Sequence, residues 1–366
     1  MKYTKVAIID ADLIGRKKHR FPNLVCMKLS GYYKELGCEV ELKMDYEDLQ
    51  SYDKVFISKV FTDTPIDEAI LELPNVQYGG TGFFYDKAPK LLDEVEHHMP
   101  DYHLYDDWVN EKLSEGGKRS DYKYYLDYSI AYLTRGCFRQ CEFCVNKNYR
   151  KVEVHSRIEE FLDPSRKKIC LLDDNFLGCP EWKTMLLELQ ATGKPFQFKQ
   201  GLDERLLTDE KCEVLFKSKY DGDYIFAFDN VADYDLIEKK LKLMRKYINN
   251  RAMFYLFCGF DRADKWDMGF WKQDIFDLFV RIELLMKYRA YPYVMRYNRY
   301  EESPYRGMYI SIARWCNQPA FFKKKSLREF CVANGENSAC YRYVKEFRTK
   351  FPEIEKYLDM KYSDVI

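Results

Sequence analysis

Three cysteines carry the strongest chemical signal in the chain. The segment TRGCFRQCEFCVNK sets Cys137, Cys141 and Cys144 in a C-x3-C-x2-C spacing directly after a strand-like run. Thiols this close in one loop do not easily build a disulfide framework, and no nearby Cys or His completes a tetrahedral zinc site. What they can do is hold three irons of a 4Fe-4S cluster and leave the fourth iron open to a substrate or cosubstrate. Zinc with a distant fourth ligand, and three incidental cysteines, are the alternatives.

Polar residues recur wherever a later strand-like run ends. Asp173, Asp174 and Asn175 close KICLLD (168–173), and Lys199 and Gln200 close FQFKQG (196–201), with Asp203 and Arg205 just beyond. Asp229 and Asn230 close YIFAFD (224–229), Asp261 and Arg262 follow Cys258–Gly259 in MFYLFCGF (253–260), and Arg296 and Asn298 close YPYVMR (291–296). In β/α barrels the carboxyl ends of strands are where sites are built. The plainer alternative is that loops are polar everywhere.

These side chains need elements to position them. KVAIID (5–10), EVELK (39–43), KVFISKVF (54–61) and VQYGGTGFF (76–84) read as strands, the first two separated by a helix with Val25, Leu29, Tyr32 and Leu36 on one face and a stop at Gly37. That alternation predicts a parallel sheet with right-handed crossovers, a Rossmann-like domain over 1–95. The charged stretch 96–126 reads as a linker. From SIAYLTR (129–135) onward six strand-like runs alternate with helical patterns at 181–191, 209–219, 234–249 and 273–289, which predicts an open or partial barrel over 127–300. The remainder, 301–366, predicts a helical C-terminal extension with helices near 326–333, 341–350 and 352–358. The fold class is therefore α/β.

The cysteine spacing, the aromatic Phe143 before the third cysteine, and the place of the loop after the first strand of a β/α series resemble the radical S-adenosylmethionine (SAM) enzymes. The resemblance implies a partial (β/α)6 TIM barrel and a 4Fe-4S cluster whose open iron chelates S-adenosyl-L-methionine. It further implies cleavage of that cosubstrate to a 5′-deoxyadenosyl radical, and an electron donor such as flavodoxin or ferredoxin. By the same resemblance Asp173, Asp174 and Asn175 approach the methionyl amine, Asp229 contacts the ribose, Gly259 lets the backbone approach adenine, and Gln200 and Arg205 belong to the same cofactor-contacting set. The first domain is similar to the cobalamin-binding type that precedes the barrel in one branch. DADLIG (10–15) matches its D-x-H-x-x-G loop except that Asp12 stands where the cobalt-ligating histidine would be, so the fold is expected without the cofactor.

A modified nucleobase suits the residues near the strand ends. A guanine-like edge offers a ring N–H beside an exocyclic amine, a pair that one carboxylate accepts. Asp261, then Asp203, are the favoured carboxylates, with Asp174 also available and Arg262, Arg205 or Arg296 for a carbonyl or diol. The alternatives are a cobalamin-dependent radical methylase or cyclase and a non-enzymatic iron–sulfur sensor or electron carrier.

Composition limits the partners. Lys plus Arg (59) equals Asp plus Glu (59) in 366 residues, so no global field favours nucleic acid, and the apolar runs are too short to span a membrane. The start runs straight into a strand without a signal segment, which gives a cytoplasmic expectation. Cys316, Cys331 and Cys340 read as buried thiols, His97 and His98 as solvated, His155 as a residue that follows the cluster loop, and the run 16–20 as a basic loop.

Overall fold

The computed structural model describes residues 4–85, 87–146, 148–249 and 252–362. The first three residues of the expected N-terminal domain and 363–366 of the expected extension lie outside the described residues. The fold is α/β with parallel sheets. Two compact units form, Met1–Asp174 with Leu187–Gln197, and Asn175–Leu186 with Phe198–Ile366, so the segment 127–300 contributes to both.

In the first unit β1 (Lys5–Asp10), β2 (Glu39–Leu42), β3 (Lys54–Ser58) and β4 (Val76–Gly79) pair in parallel in the order β2-β1-β3-β4. β1 reads as an unbroken apolar run because both of its faces are covered. Val6 and Ile8 enter one core cluster with Met27 and Leu29, while Ala7 and Ile9 enter another with Val55 and Ile57. β2 is an edge strand, and its Glu39 and Glu41 are exposed. The helix Leu24–Glu35 starts at Asn23, whose side chain accepts from Val25 N and Cys26 N, and ends just before the expected stop.

Residues 96–126 are packed, contrary to the linker expectation. Tyr102, Leu104, Tyr105, Trp108, Val109, Tyr122 and Tyr125 are all buried in the core cluster of the first sheet. The Tyr105 hydroxyl donates to Asp10 Oδ2 at 2.9 Å, and the Tyr102 hydroxyl donates to Phe161 O at 2.7 Å. Aromatic rings set among acids and lysines bury their bodies and leave the polar neighbours outside, which composition alone does not reveal.

The second series begins with β5 (Tyr128–Ala131), followed by β6 (Thr134–Arg135) and β7 (Glu153–Val154), which pair as a short antiparallel hairpin. β8 (Lys168–Leu171) and β9 (Phe196–Phe198) complete a sheet in the order β5-β8-β9, with β5 and β8 parallel. In the second unit β10 (Tyr224–Ala227), β11 (Ala252–Cys258) and β12 (Tyr291–Arg296) form a parallel sheet in chain order, and Leu202 bridges to Phe226 of β10. Helices Trp182–Ala191, Asp209–Phe216, Tyr234–Met244 and Met268–Lys287 match the four expected helical patterns.

The C-terminal extension contains a helix absent from the sequence reading, Arg306–Cys316. Gly307 explains why it can pack so tightly: a Cβ there would lie 2.1 Å from the Tyr343 ring of the helix Ala339–Lys350.

Candidate functional site

The cysteine loop leaves β6 through Gly136, which has φ 96°. A Cβ at that position would stand 2.4 Å from Lys151 O, so the residue must be glycine on two counts, conformation and space. Cys137, Cys141 and Cys144 are half-buried along the loop. Cys144 N donates to Cys141 O at 3.0 Å, closing a turn. Arg139 N points at Cys137 Sγ and Asn146 N at Cys144 Sγ, each at 3.4 Å. Phe143 sits between the second and third cysteines and is also half-buried.

Two adjacent acids after β8 hold this loop. Asp173 is fully buried: its Oδ1 accepts from Thr134 N and Thr134 Oγ1, both at 2.7 Å, and its Oδ2 accepts from Leu133 N at 3.1 Å. Burial pushes its carboxyl up to about 7, and these three donors oppose the rise. Asp174 accepts from Gly136 N at 2.9 Å and from Asn146 Nδ2 at 2.7 Å. The Arg135 guanidinium lies over the Tyr132 ring at 4.0 Å.

His155 turns to a different network. Its Nε2 lies 3.3 Å from Glu96 Oε1, its Nδ1 bonds Ser156 Oγ at 2.8 Å, and its ring stacks on His97 with centroids 5.1 Å apart. Burial alone would raise the Glu96 carboxyl, but His155 and the Lys28 ammonium at 2.9 Å hold it down at about 2. The histidines expected in solvent are both engaged, His97 with Glu160 at 2.8 Å and His98 with Glu35 at 2.6 Å.

At the carboxyl ends of β1 and β3, Asp12 is fully buried and commits its carboxylate to the segment 60–64. It accepts from Val60 N at 2.6 Å, Phe61 N at 3.4 Å and Thr64 Oγ1 at 2.5 Å. In the basic run, Arg16 pairs with Asp63 at 2.6 Å and covers the Phe61 ring.

The second unit gathers its own acids and bases. Arg205 donates from Nε to Asp203 Oδ1 at 2.8 Å and from a terminal nitrogen to Asp233 Oδ2 at 3.2 Å. Between Asp203 and Arg205 stands Glu204, 1% exposed, whose Oε2 accepts from Ala227 N at 3.2 Å. Its Oε1 has no hydrogen-bond partner among the described residues. Burial pushes this carboxyl up to about 8, and the Asp203 charge pushes the same way.

Asp229 Oδ1 accepts from Phe257 N at 3.0 Å, and burial raises its carboxyl while that N–H and the Arg281 charge oppose the rise. Arg281 is buried and donates to Phe228 O and Phe257 O, both at 2.9 Å. Gly259 N donates to Asp274 Oδ2 at 2.7 Å, and the Tyr309 hydroxyl reaches the same oxygen at 2.7 Å. Gln200 and Arg262 are exposed. Asp261 is committed to its own loop, accepting from Ala263 N, Lys265 N and Trp266 N, each at 2.9 Å. Those bonds hold Asp264 and Trp266 at φ 53° and 52°.

β11 alternates fully buried and half-buried residues, and β12 puts Tyr293 and Met295 on its exposed side. In register, Ala227, Tyr255 and Tyr293 form one row and Phe257 and Met295 the next. The sequence reading missed this aromatic face, Glu204 and Arg281. Each left a trace: alternation in β11, the second acid of LDERLL, and the one basic residue inside the largely apolar run FDLFVRIELLM.

No family model matches the chain, and no curated protein is significantly similar to it. No helix among the described residues is long and apolar enough to cross a membrane.

Proposed function

We propose that this chain is a radical SAM enzyme acting on a modified nucleobase. The observation that carries the reading is the cysteine loop: three half-buried thiols between a glycine-gated entry and an acid-anchored exit, immediately after β6. Three thiols spread along one loop fit a cluster that distributes its irons over several sulfurs better than they fit mononuclear zinc. Cys137, Cys141 and Cys144 would be its ligands, and the N–H groups of Arg139 and Asn146, which point at two of the sulfurs, would temper their charge. When bound, the 4Fe-4S cluster supplies the electron that cleaves S-adenosylmethionine to methionine and a 5′-deoxyadenosyl radical. The strand orders β2-β1-β3-β4, β5-β8-β9 and β10-β11-β12 support a Rossmann-like domain followed by a partial barrel.

Within that class we read the chain as a queuine lyase, which breaks the bond joining the cyclopentenediol to the aminomethyl nitrogen and leaves 7-aminomethyl-7-deazaguanine. A cobalamin-type domain with Asp12 in place of the ligand histidine, the cysteine loop, and the tail containing ARWCNQPAFFKKKSLREF support it. The half-buried Tyr255 and Phe257 and the exposed Tyr293 offer ring faces to a planar base. The Asp203–Arg205–Asp233 group supplies charge-assisted hydrogen bonds to its edge. Asp261 serves by holding its loop.

The test is anaerobic reconstitution with iron, sulfide and dithionite, followed by mass spectrometry. Formation of 5′-deoxyadenosine supports the class, and conversion of queuine to 7-aminomethyl-7-deazaguanine supports the substrate. Deoxyadenosine without queuine conversion removes the substrate alone, and a protein that takes up no iron removes the class. Cobalamin retained from supplemented medium would favour a methylase.

A further inference from the structure

We infer that Asp174 is a positioning residue of the cysteine loop, tying its entry to its exit through a carboxylate bonded to residues on either side of the three cysteines. One carboxylate oxygen takes Gly136 N at 2.9 Å, one residue before Cys137, and the other takes Asn146 Nδ2 at 2.7 Å, two residues after Cys144. All three cysteines therefore lie between the two ends of a single clamp. Gly136 presents its N–H from a left-handed backbone where a Cβ would meet Lys151 O at 2.4 Å, a geometry open only to glycine. At the other end Asn146 is doubly used, since its backbone N–H points at Cys144 Sγ at 3.4 Å. The division of labour between the neighbouring acids is clean. Asp173 fixes Leu133 and Thr134, the chain before the loop, and Asp174 fixes the loop itself.

This role deepens the reading of the loop as a cluster site and rests on it. Partners in the outer shell of a metal site set both retention and electronic properties. A carboxylate beside an iron–sulfur cluster disfavours the added electron, so its removal should move the midpoint potential upward.

The experiment uses the full-length chain, reconstituted anaerobically with iron and sulfide, as wild type, Asp174→Asn and Asp174→Ala. Asparagine can accept from Gly136 N through its oxygen and donate to a flipped Asn146 amide, so it keeps the clamp and removes the charge. Asp174→Asn is expected to hold iron close to the wild-type level, with a less negative midpoint potential in an electron paramagnetic resonance titration. Asp174→Ala loses both ties and is expected to lose iron affinity by about tenfold or more. In the cluster-free protein, iodoacetamide labelling of Cys137 and Cys144 should be faster in Asp174→Ala than in wild type and unchanged in Asp174→Asn. Wild-type iron affinity, potential and labelling rates in both variants would overturn the inference. If wild-type protein takes up no iron, the cluster reading fails, while the labelling rates still decide whether Asp174 clamps the loop.

Discussion

Glu204 should make the protein less stable as the pH rises, and Glu204→Gln should abolish that part of the dependence. The native carboxyl is pushed up to about 8 from its ordinary 4.5, because it is buried and lies beside the Asp203 charge. A group whose native value is raised takes up a proton on folding between the two values. The stability it contributes is fully present below the unfolded value and is lost as pH climbs through the native one. One such group changes stability by about 1.4 kcal/mol per pH unit, so between about pH 5 and about pH 7.5 its contribution falls by roughly 3 kcal/mol. Glutamine retains an oxygen for Ala227 N but cannot titrate. The assay is urea unfolding of wild type and variant across that window, taking the difference between their pH slopes. Asp10 and Asp173, whose carboxyls burial also raises to about 7, contribute equally to both proteins and cancel. Parallel pH profiles for the two proteins would show that Glu204 is ionised in the fold and refute the reasoning.

Replacing Cys137, Cys141 or Cys144 by Ala should remove iron absorbance and deoxyadenosine formation while circular dichroism is unchanged, because no neighbouring thiolate can substitute. Asp261→Ala strands three N–H groups and releases two left-handed residues. It should cost about 2–3 kcal/mol in denaturant unfolding and leave deoxyadenosine formation intact; wild-type stability would remove the loop-tie role. Gly136→Ala should fold but bind little iron, since its Cβ would collide with Lys151 O, and wild-type iron content would contradict the packing argument. Arg281→Met leaves Phe228 O and Phe257 O without their donor, an expected loss of about 3 kcal/mol read as a lower melting temperature.

The sequence made the strand series and the loop readable because both depend on local pattern. β1, β3, β8, β10 and β11 each announce themselves as short runs rich in Val, Ile, Leu or Phe, and C-x3-C-x2-C needs no tertiary context to be noticed. What escaped depends on partners far along the chain. Tyr102, Tyr105 and Trp108 look like loop residues until Arg166 and β1 are placed beside them. Arg306–Cys316 is hidden by its Pro- and Gly-flanked start, and only Tyr343 explains why Gly307 belongs in a helix. At the site, residue type identified the carboxylates but not their commitments. Asp173 turned out to hold the chain before the loop, Asp174 the loop's two ends and Asp261 its own loop, and Glu204, unremarked between two noticed neighbours, is the buried acid with an unsatisfied oxygen among the described residues.

The commitment of Asp12 limits what position 12 can become. In a domain whose ligand position carries an idle side chain, one substitution could restore a metal-binding imidazole. Here Asp12→His would release Val60 N, Phe61 N and the Thr64 hydroxyl together, and a neutral imidazole has a single acceptor nitrogen to offer in return. The segment 60–64 is built around a carboxylate, so an imidazole at position 12 would require several coordinated changes there. The hydrogen-bonding demand of a neighbouring loop, more than the size of the pocket, thus decides which side chain position 12 can hold.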